Sequence, residues 1–250
     1  MDYLISEIND GIAVLTVNRP KALNALNREL LEDIRSYLQT ALENNIKVLI
    51  LTGAGDKAFI AGADIKAMNE MNKDEIVQFS QLGQNIANVL ETAPFVTIAA
   101  VNGFALGGGL EMALACDFIY ASENALMGLP ETDLGLIPGF GGSIRLSKAI
   151  GKRLAKELVM TGKKITAQEA KRINLVNEVL PKDALMKHAQ DVAHQIAQKS
   201  LAAITSAKVL INCSQELFLT DALDLERNLF QTCFDTVERR NAMTKFIEKR

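Results

Sequence analysis

Two apolar runs, "KVLILTG" at residues 47–53 and "PFVTIAAVNG" at 94–103, constrain this chain more than any other feature. Each is too short for a core helix of ordinary length and is apolar at odd and even positions alike. A strand of this kind is buried on both faces, which requires layers of structure above and below it. "DFIYA" at 117–121 reads as a further strand. Between the runs lie helical patterns. Leu30, Leu31, Ile34, Leu38 and Leu42 recur at helical spacing behind Asn27, an N-cap type, and Ile76, Phe79, Leu82, Ile86 and Leu90 form a second series. At the N-terminus, "YLISEI" and "IAVLTVN" are separated by "NDG", the signature of a hairpin. Thr166 and Glu169 in "TAQEAKRI" make a capping-box pattern. Beyond it the chain is helical, with helices expected over 183–198, 202–215, 219–236 and 239–249. The fold class is α/β, with a C-terminal helical region and no linker or repeat to mark a boundary.

The 250 residues suffice for one substantial core. A net charge of -3 gives no reason to expect nucleic acid or an anionic membrane as partner. Three scattered cysteines fit a reducing compartment and supply no metal-ligand spacing. The acidic N-terminus "MDYLISEIND" does not resemble a signal peptide, and no apolar run reaches membrane-spanning length. A soluble, cytoplasmic protein is expected.

Several chemistries are excluded by pattern. His188 and His194 are six apart on one predicted helix and do not share a face as paired ligands would, so both are expected at the surface. Ser143 in "GFGGSIRL" lacks a nucleophile elbow, and there is no phosphate-binding Gly-Lys loop. "VLILTGAGDKAF" imitates a dinucleotide fingerprint, but no helix start follows Ala58, so Gly53 and Gly55 are expected in a plain turn.

The stretch "FALGGGLEMALAC" at 104–116 is different. Its glycines sit where a strand ends and a helix begins near Gly108. Unpaired N–H groups face outward there, and no Cβ holds a ligand away. Glu111 lies one turn on, on the face of Gly108. Tight helix packing, with Glu111 merely favourable to the helix dipole, explains this stretch equally well. A second carboxylate in an apolar setting, Glu131 behind Pro130, suggests an acid/base pair. Glycosidases also pair carboxylates, but a chain with no Trp and three Tyr is poor in sugar-stacking platforms. "KAFIAGADIKAM" at 57–68 offers a further backbone N–H, and two N–H groups converging on one oxygen form an oxyanion hole.

Together, "NRPKALNAL" (18–26), "AFIAGADIKAM" (58–68), "AAVNGFALGGGLE" (99–111), "PETDLGLIPGFGG" (130–142), "TGKKITAQEAKRINLVNEV" (161–179) and "AMTKFIEKR" (242–250) resemble the crotonase (enoyl-CoA hydratase) superfamily, in order and along the whole chain. The resemblance implies a crotonase-like spiral of ββα units over residues 1–190 and a C-terminal helical region over 191–250 that serves trimerisation, with trimers pairing into hexamers. It puts the oxyanion-hole N–H groups on Ala63 and Gly108 and the two hydratase glutamates on Glu111 and Glu131. It gives coenzyme A to the Lys21, Ala22 and Leu23 loop and to Ala61, Asp64, Ile65 and Lys66. The acyl pocket is expected to be walled by Met68, Met71, Leu129 and Phe140, whose bulk favours short chains. Leu110 and Leu129 depart from the residues many hydratases have, and the chain stops at "FIEKR" where many relatives continue, so tail contacts to the coenzyme A phosphates are not expected.

The expected activity is hydration of a short trans-2-enoyl-CoA in fatty-acid β-oxidation or related acyl-CoA metabolism, by a homo-oligomer with no cofactor and no metal. An enoyl-CoA isomerase is the alternative, against which the presence of both glutamates argues. A non-catalytic relative binding RNA or protein is disfavoured by the acidic balance.

Overall fold

A computed structural model describes residues 3–248 of the chain. Strands β1 (Leu4–Asn9) and β2 (Ile12–Val17) form the expected antiparallel hairpin. Its two-residue loop holds Asp10 at φ 51° and Gly11 at φ 77°, the left-handed pair that a type I′ turn needs. Helix α1 (Arg28–Glu43) starts at Asn27, whose side chain accepts the Leu30 N–H at 3.0 Å. Ala41 is buried on its last turns, whereas Leu42 is turned outward.

A repeating pattern follows. Strands β3 (Val48–Gly53) and β4 (Ala58–Ile60) lead into helices α2 (Ile65–Asn69) and α3 (Lys73–Thr92). Strands β5 (Val96–Val101) and β6 (Phe104–Leu106) lead into α4 (Gly108–Leu114). Strands β7 (Phe118–Ser122) and β8 (Leu126–Gly128) lead into a 3-10 turn, Pro130–Leu134, and helices α5 (Gly142–Ile150) and α6 (Lys152–Thr161). Then come β9 (Ile165–Thr166), α7 (Ala167–Arg172), β10 (Glu178–Leu180), α8 (Leu185–Ala197), α9 (Leu201–Cys213), α10 (Leu219–Phe234) and α11 (Val237–Glu248). The first strand of each pair enters a six-stranded sheet of order β1-β2-β3-β5-β7-β10, and the second enters a four-stranded sheet of order β4-β6-β8-β9. Within each sheet successive turns pair in parallel, β3 with β5 and β5 with β7, β4 with β6 and β6 with β8. The chain therefore winds as a spiral of ββα units. Between Gly53 and Ala58 there is a turn, and strand β4 follows it where a dinucleotide site would need a helix.

The all-apolar strands are explained by two cores. Leu49, Leu51, Ala99 and Val101 face the main core under α1 and α3. Val48, Ile50, Val96, Ile98 and Ala100 face a second core covered by Leu185, Ala189 and Ala193 of α8. Alternate residues of one run thus serve opposite faces. The boundary expected at 190 falls inside α8, which is joined to the sheet along its length. Helix α9 touches the second core only through Ile204, α10 and α11 contribute no buried residue, and Lys208 is the one residue buried on these three helices among the described residues. They and the N-cap of α10 expose Phe218 by 82%, Phe230 by 69% and Ile247 by 70%. The last two residues of the "AMTKFIEKR" stretch lie outside the described residues.

Candidate active site

The three glycines before Glu111 do different jobs. Gly107 has φ +48°, and a Cβ on it would stand 2.8 Å from Oε1 of Glu131, so a side chain here would displace that carboxylate. A Cβ on Gly109 would fall 1.9 Å from the Ile60 carbonyl oxygen, so α4 approaches β4 closely only because the residue is glycine. The backbone entropy that glycine costs is thus offset at both positions by close packing of backbone and carboxylate. Gly108 is the first residue of α4, so its N–H is outside the helical ladder.

Glu111 is 2% exposed, and its Oε1 accepts the N–H groups of Phe140 and Gly142, each at 2.7 Å. Burial raises its pKa above the ordinary carboxylate value, opposed by the Gly142 and Phe140 N–H groups and by the charge of Arg145. Glu131 sits in the 3-10 turn behind Pro130. Thr132 Oγ1 in the same turn donates to the Val159 carbonyl of α6 at 2.8 Å and fixes it. Burial pushes the Glu131 carboxyl to about 7; its own backbone N–H lowers it, and the nearby charge of Glu111 raises it further. Its Oε2 is buried with no hydrogen-bond partner among the described residues. A buried carboxyl oxygen left open at a cavity is ready for a water or a reacting atom.

Ala63 forms an isolated parallel bridge with Leu26. Leu26 donates to the Gly62 carbonyl and accepts from the Asp64 N–H, both at 2.8 Å. The N–H of Ala63 therefore points to the other side of the strand. Ala63, Gly108, Glu111 and Glu131 all line one cavity of about 620 Å³, with Ala61, Ile65, Met68 and Phe140 also on its wall.

Other expected residues lie elsewhere. Leu129 is fully buried in the main core and Met71 packs against that core; neither lines the cavity. Leu110 is likewise a core residue at 1% exposure. Asp64 caps α2 through the Ala67 N–H and pairs with Arg19 at 3.2 Å. Lys66 is exposed. Lys21, Ala22 and Leu23 lie outside the cavity wall, but the Leu23 carbonyl accepts the Ala61 N–H at 3.1 Å, so this loop and the Ala61 segment form one rim. His194 is exposed, while His188 is partly covered, 3.5 Å from Glu178 and edge-on to Tyr120.

The cavity also takes wall from residues that sequence reasoning did not assign to it. Ile76 and Phe79 come from α3, and Leu134, Leu136 and Ile137 from the segment after Glu131. Ile137 is 77% exposed. The available signal was three apolar side chains in the glycine- and proline-rich stretch "DLGLIPG", where a surface turn is ordinarily polar.

A two-sheet ββα spiral enclosing one buried and one partly buried carboxyl group and outward backbone N–H groups is the framework of a crotonase-fold acid–base enzyme. The profile of the family described as Enoyl-CoA hydratase/isomerase matches residues 7–250, and the chain belongs to that family. It is 46% identical over 252 residues to a short-chain-enoyl-CoA hydratase of Clostridium acetobutylicum, covering 100% of this chain and 96% of that one. It is 42% identical over 251 residues to a crotonyl-CoA hydratase of Syntrophomonas wolfei, again covering 100% of this chain and 96% of the other. Among solved structures, an enoyl-CoA hydratase from Bacillus anthracis superposes with TM-score 0.96 at 38% identity, over 99% of this chain and 97% of that one.

Proposed function

We propose that the cavity holds the acyl end of a short trans-2-enoyl-CoA and that the protein adds water to it, giving the 3-hydroxyacyl-CoA. The observation that carries this reading is the presence at one cavity of a carboxyl group at about 7 and a second carboxylate fixed by two N–H groups. The thioester oxygen lies against the N–H groups of Ala63 and Gly108, which take up enolate-like charge as the reaction proceeds; one such donor is worth about 2.7–4 kcal/mol. Glu111 orients a water and accepts its proton while the oxygen bonds to C3. Glu131, whose carboxyl burial raises to about 7, gives its proton to C2. The rim of Lys21, Ala22, Leu23, Ala61, Asp64, Ile65 and Lys66 holds the coenzyme A moiety. The chemistry needs no cofactor beyond the coenzyme A of the substrate, and no group of three or more candidate metal ligands occurs among the described residues.

Crotonyl-CoA is the expected preferred substrate, since Met68 and Phe140 narrow the wall and two full-length relatives are named for short-chain or crotonyl substrates. Each methylene in an apolar pocket is worth about 1–3 kcal/mol, so kcat/KM measured from C4 to C16 should decline in graded steps. Unchanged enoyl-thioester absorbance with the pure protein would defeat the hydratase reading. A maximum at C10 or longer would defeat the short-chain reading alone.

Residues 191–250 serve subunit association, in a trimer or a pair of trimers, within the cytoplasm and in fatty-acid β-oxidation or related acyl-CoA metabolism. The apolar side chains exposed on α10 and α11 support this, because patches of that kind are ordinarily covered. Light scattering at micromolar concentration should give three or six times the chain mass; a monomer mass refutes it.

A further inference from the structure

Both hydrogen bonds on the Glu111 carboxylate come from backbone, the N–H groups of Phe140 and Gly142. The position of Glu111 therefore depends on whatever fixes residues 139–142. That segment is "GFGG", with Gly141 at φ +100°, and it has little stiffness of its own. Its order comes from two directions. The Gly139 carbonyl accepts Ser80 Oγ at 2.7 Å and Gln84 Nε2 at 3.0 Å, both from α3. The Phe140 carbonyl accepts Arg145 Nη1 at 3.1 Å. Arg145 is in turn gripped by α3: Nε and Nη2 donate to one oxygen of Glu91 at 2.9 and 2.7 Å, and Nη2 donates to Asn88 at 2.8 Å. Its side chain is 11% exposed. A planar guanidinium with five donors in a fixed fork spans these acceptors at once, which an ammonium does not.

We propose that Arg145, seated by Glu91, is the positioning residue for Glu111: it locks the loop between the two N–H donors to α3 and keeps a positive charge behind the carboxylate. The inference rests on the hydratase reading for its kinetic consequences, while the loop geometry stands apart from it. The charged groups that face Glu111 are Arg145 from α5, whose charge lowers its pKa, and Glu131 from the 3-10 turn, which lines the same cavity and whose own pKa the Glu111 charge raises.

The test compares wild type with Arg145→Met, Arg145→Lys and Glu91→Gln. A displacement of about 1 Å in a reacting group costs on the order of 100-fold in rate. Arg145→Met should therefore lower kcat on crotonyl-CoA at least tenfold while KM changes little, and move the acidic limb of kcat/KM to higher pH. Arg145→Lys should return that limb to its wild-type place and recover only part of kcat, because the charge is restored and the fork is not. Hydrogen exchange of the peptide spanning residues 136–146 should quicken in Arg145→Met. Should that variant not fold, Glu91→Gln carries the same expectations for kcat and exchange in milder form. Wild-type kcat with an unmoved pH limb, a loss confined to KM or to thermal stability, or unchanged exchange overturns the proposal. Absence of hydration by the wild type defeats the hydratase reading only, and the exchange result then decides the role of Arg145 by itself.

Discussion

Glu131→Gln is expected to lower kcat on crotonyl-CoA by roughly 10²–10⁴-fold, the usual worth of a positioned acid or base, and at the same time to stabilise the protein above neutral pH. Glutamine has the shape of the protonated acid and no proton to give to C2. The stability effect follows from linkage. In the folded state the carboxyl titrates at about 7, against 4.5 as its ordinary value. The native protein thus binds more protons than the unfolded chain between these values, and its stability falls as pH rises through that window. Above it the wild type carries a charge that its burial disfavours, and the glutamine variant does not. Thermal melts from pH 5.5 to 8.5 should show the variant gaining on wild type as pH rises, with the difference levelling off past neutrality. A flat difference would mean that the fold does not hold the carboxyl protonated. Turnover within tenfold of wild type would remove Glu131 from the mechanism.

Lys208→Met should cost about 3 kcal/mol of stability, the lower end of what removing one partner of a buried ion pair does. Nζ of Lys208 lies 2.8 Å from Asp117 Oδ2 and also donates to the carbonyls of Phe95 at 2.9 Å and Leu90 at 3.2 Å. The lysine side chain is 6% exposed and the aspartate 17%, so water screens the pair little. The same Asp117 oxygen accepts the N–H of Thr97 at 2.8 Å and its hydroxyl at 3.1 Å. The lysine thereby joins α9 to the end of α3, the start of β5 and the entry to β7. Methionine preserves the stem and leaves a carboxylate and two carbonyls without their cation. Adding Asp117→Asn should recover part of the loss, because the orphaned charge goes with it. Denaturant midpoints at fixed protomer concentration measure both variants. A loss below 1 kcal/mol for Lys208→Met would show that the pair contributes little.

Both predictions rest on groups whose importance is unequally visible in the sequence. Glu131 stands out as a carboxylate between apolar segments behind a proline. Lys208, in "AITSAKVLIN", is one lysine on an apolar helix, and nothing local tells that its ammonium ends among carbonyls more than a hundred residues back. The same division holds for the cavity. Met68 and Phe140 were identifiable from their neighbourhood in the motifs and do line it, whereas Met71 and Leu129, equally bulky and equally near, turn into or against the core. Bulk and proximity along the chain do not say which way a side chain faces when the segment is a turn, because no fixed period relates neighbouring positions there.

What the sequence by itself determined is local and periodic. Two all-apolar runs became strands shared between two cores, Asn27 and Thr166 became caps, Asp10 and Gly11 became a hairpin turn, and the glycines before Glu111 marked a backbone that must come close to something. These depend on steric rules and hydrogen bonds within a few residues. What only the tertiary structure decided is what each feature meets: Ile60 against Gly109, the Phe140 and Gly142 N–H groups on Glu111, Glu91 behind Arg145, and enough burial around Glu131 to bring its carboxyl to about 7. Desolvation and charge depend on every atom within several ångströms, whatever its place in the chain. The two carboxylates were therefore legible as residues, while the two N–H groups on Glu111 and the burial that brings the Glu131 carboxyl to about 7 come only from packing.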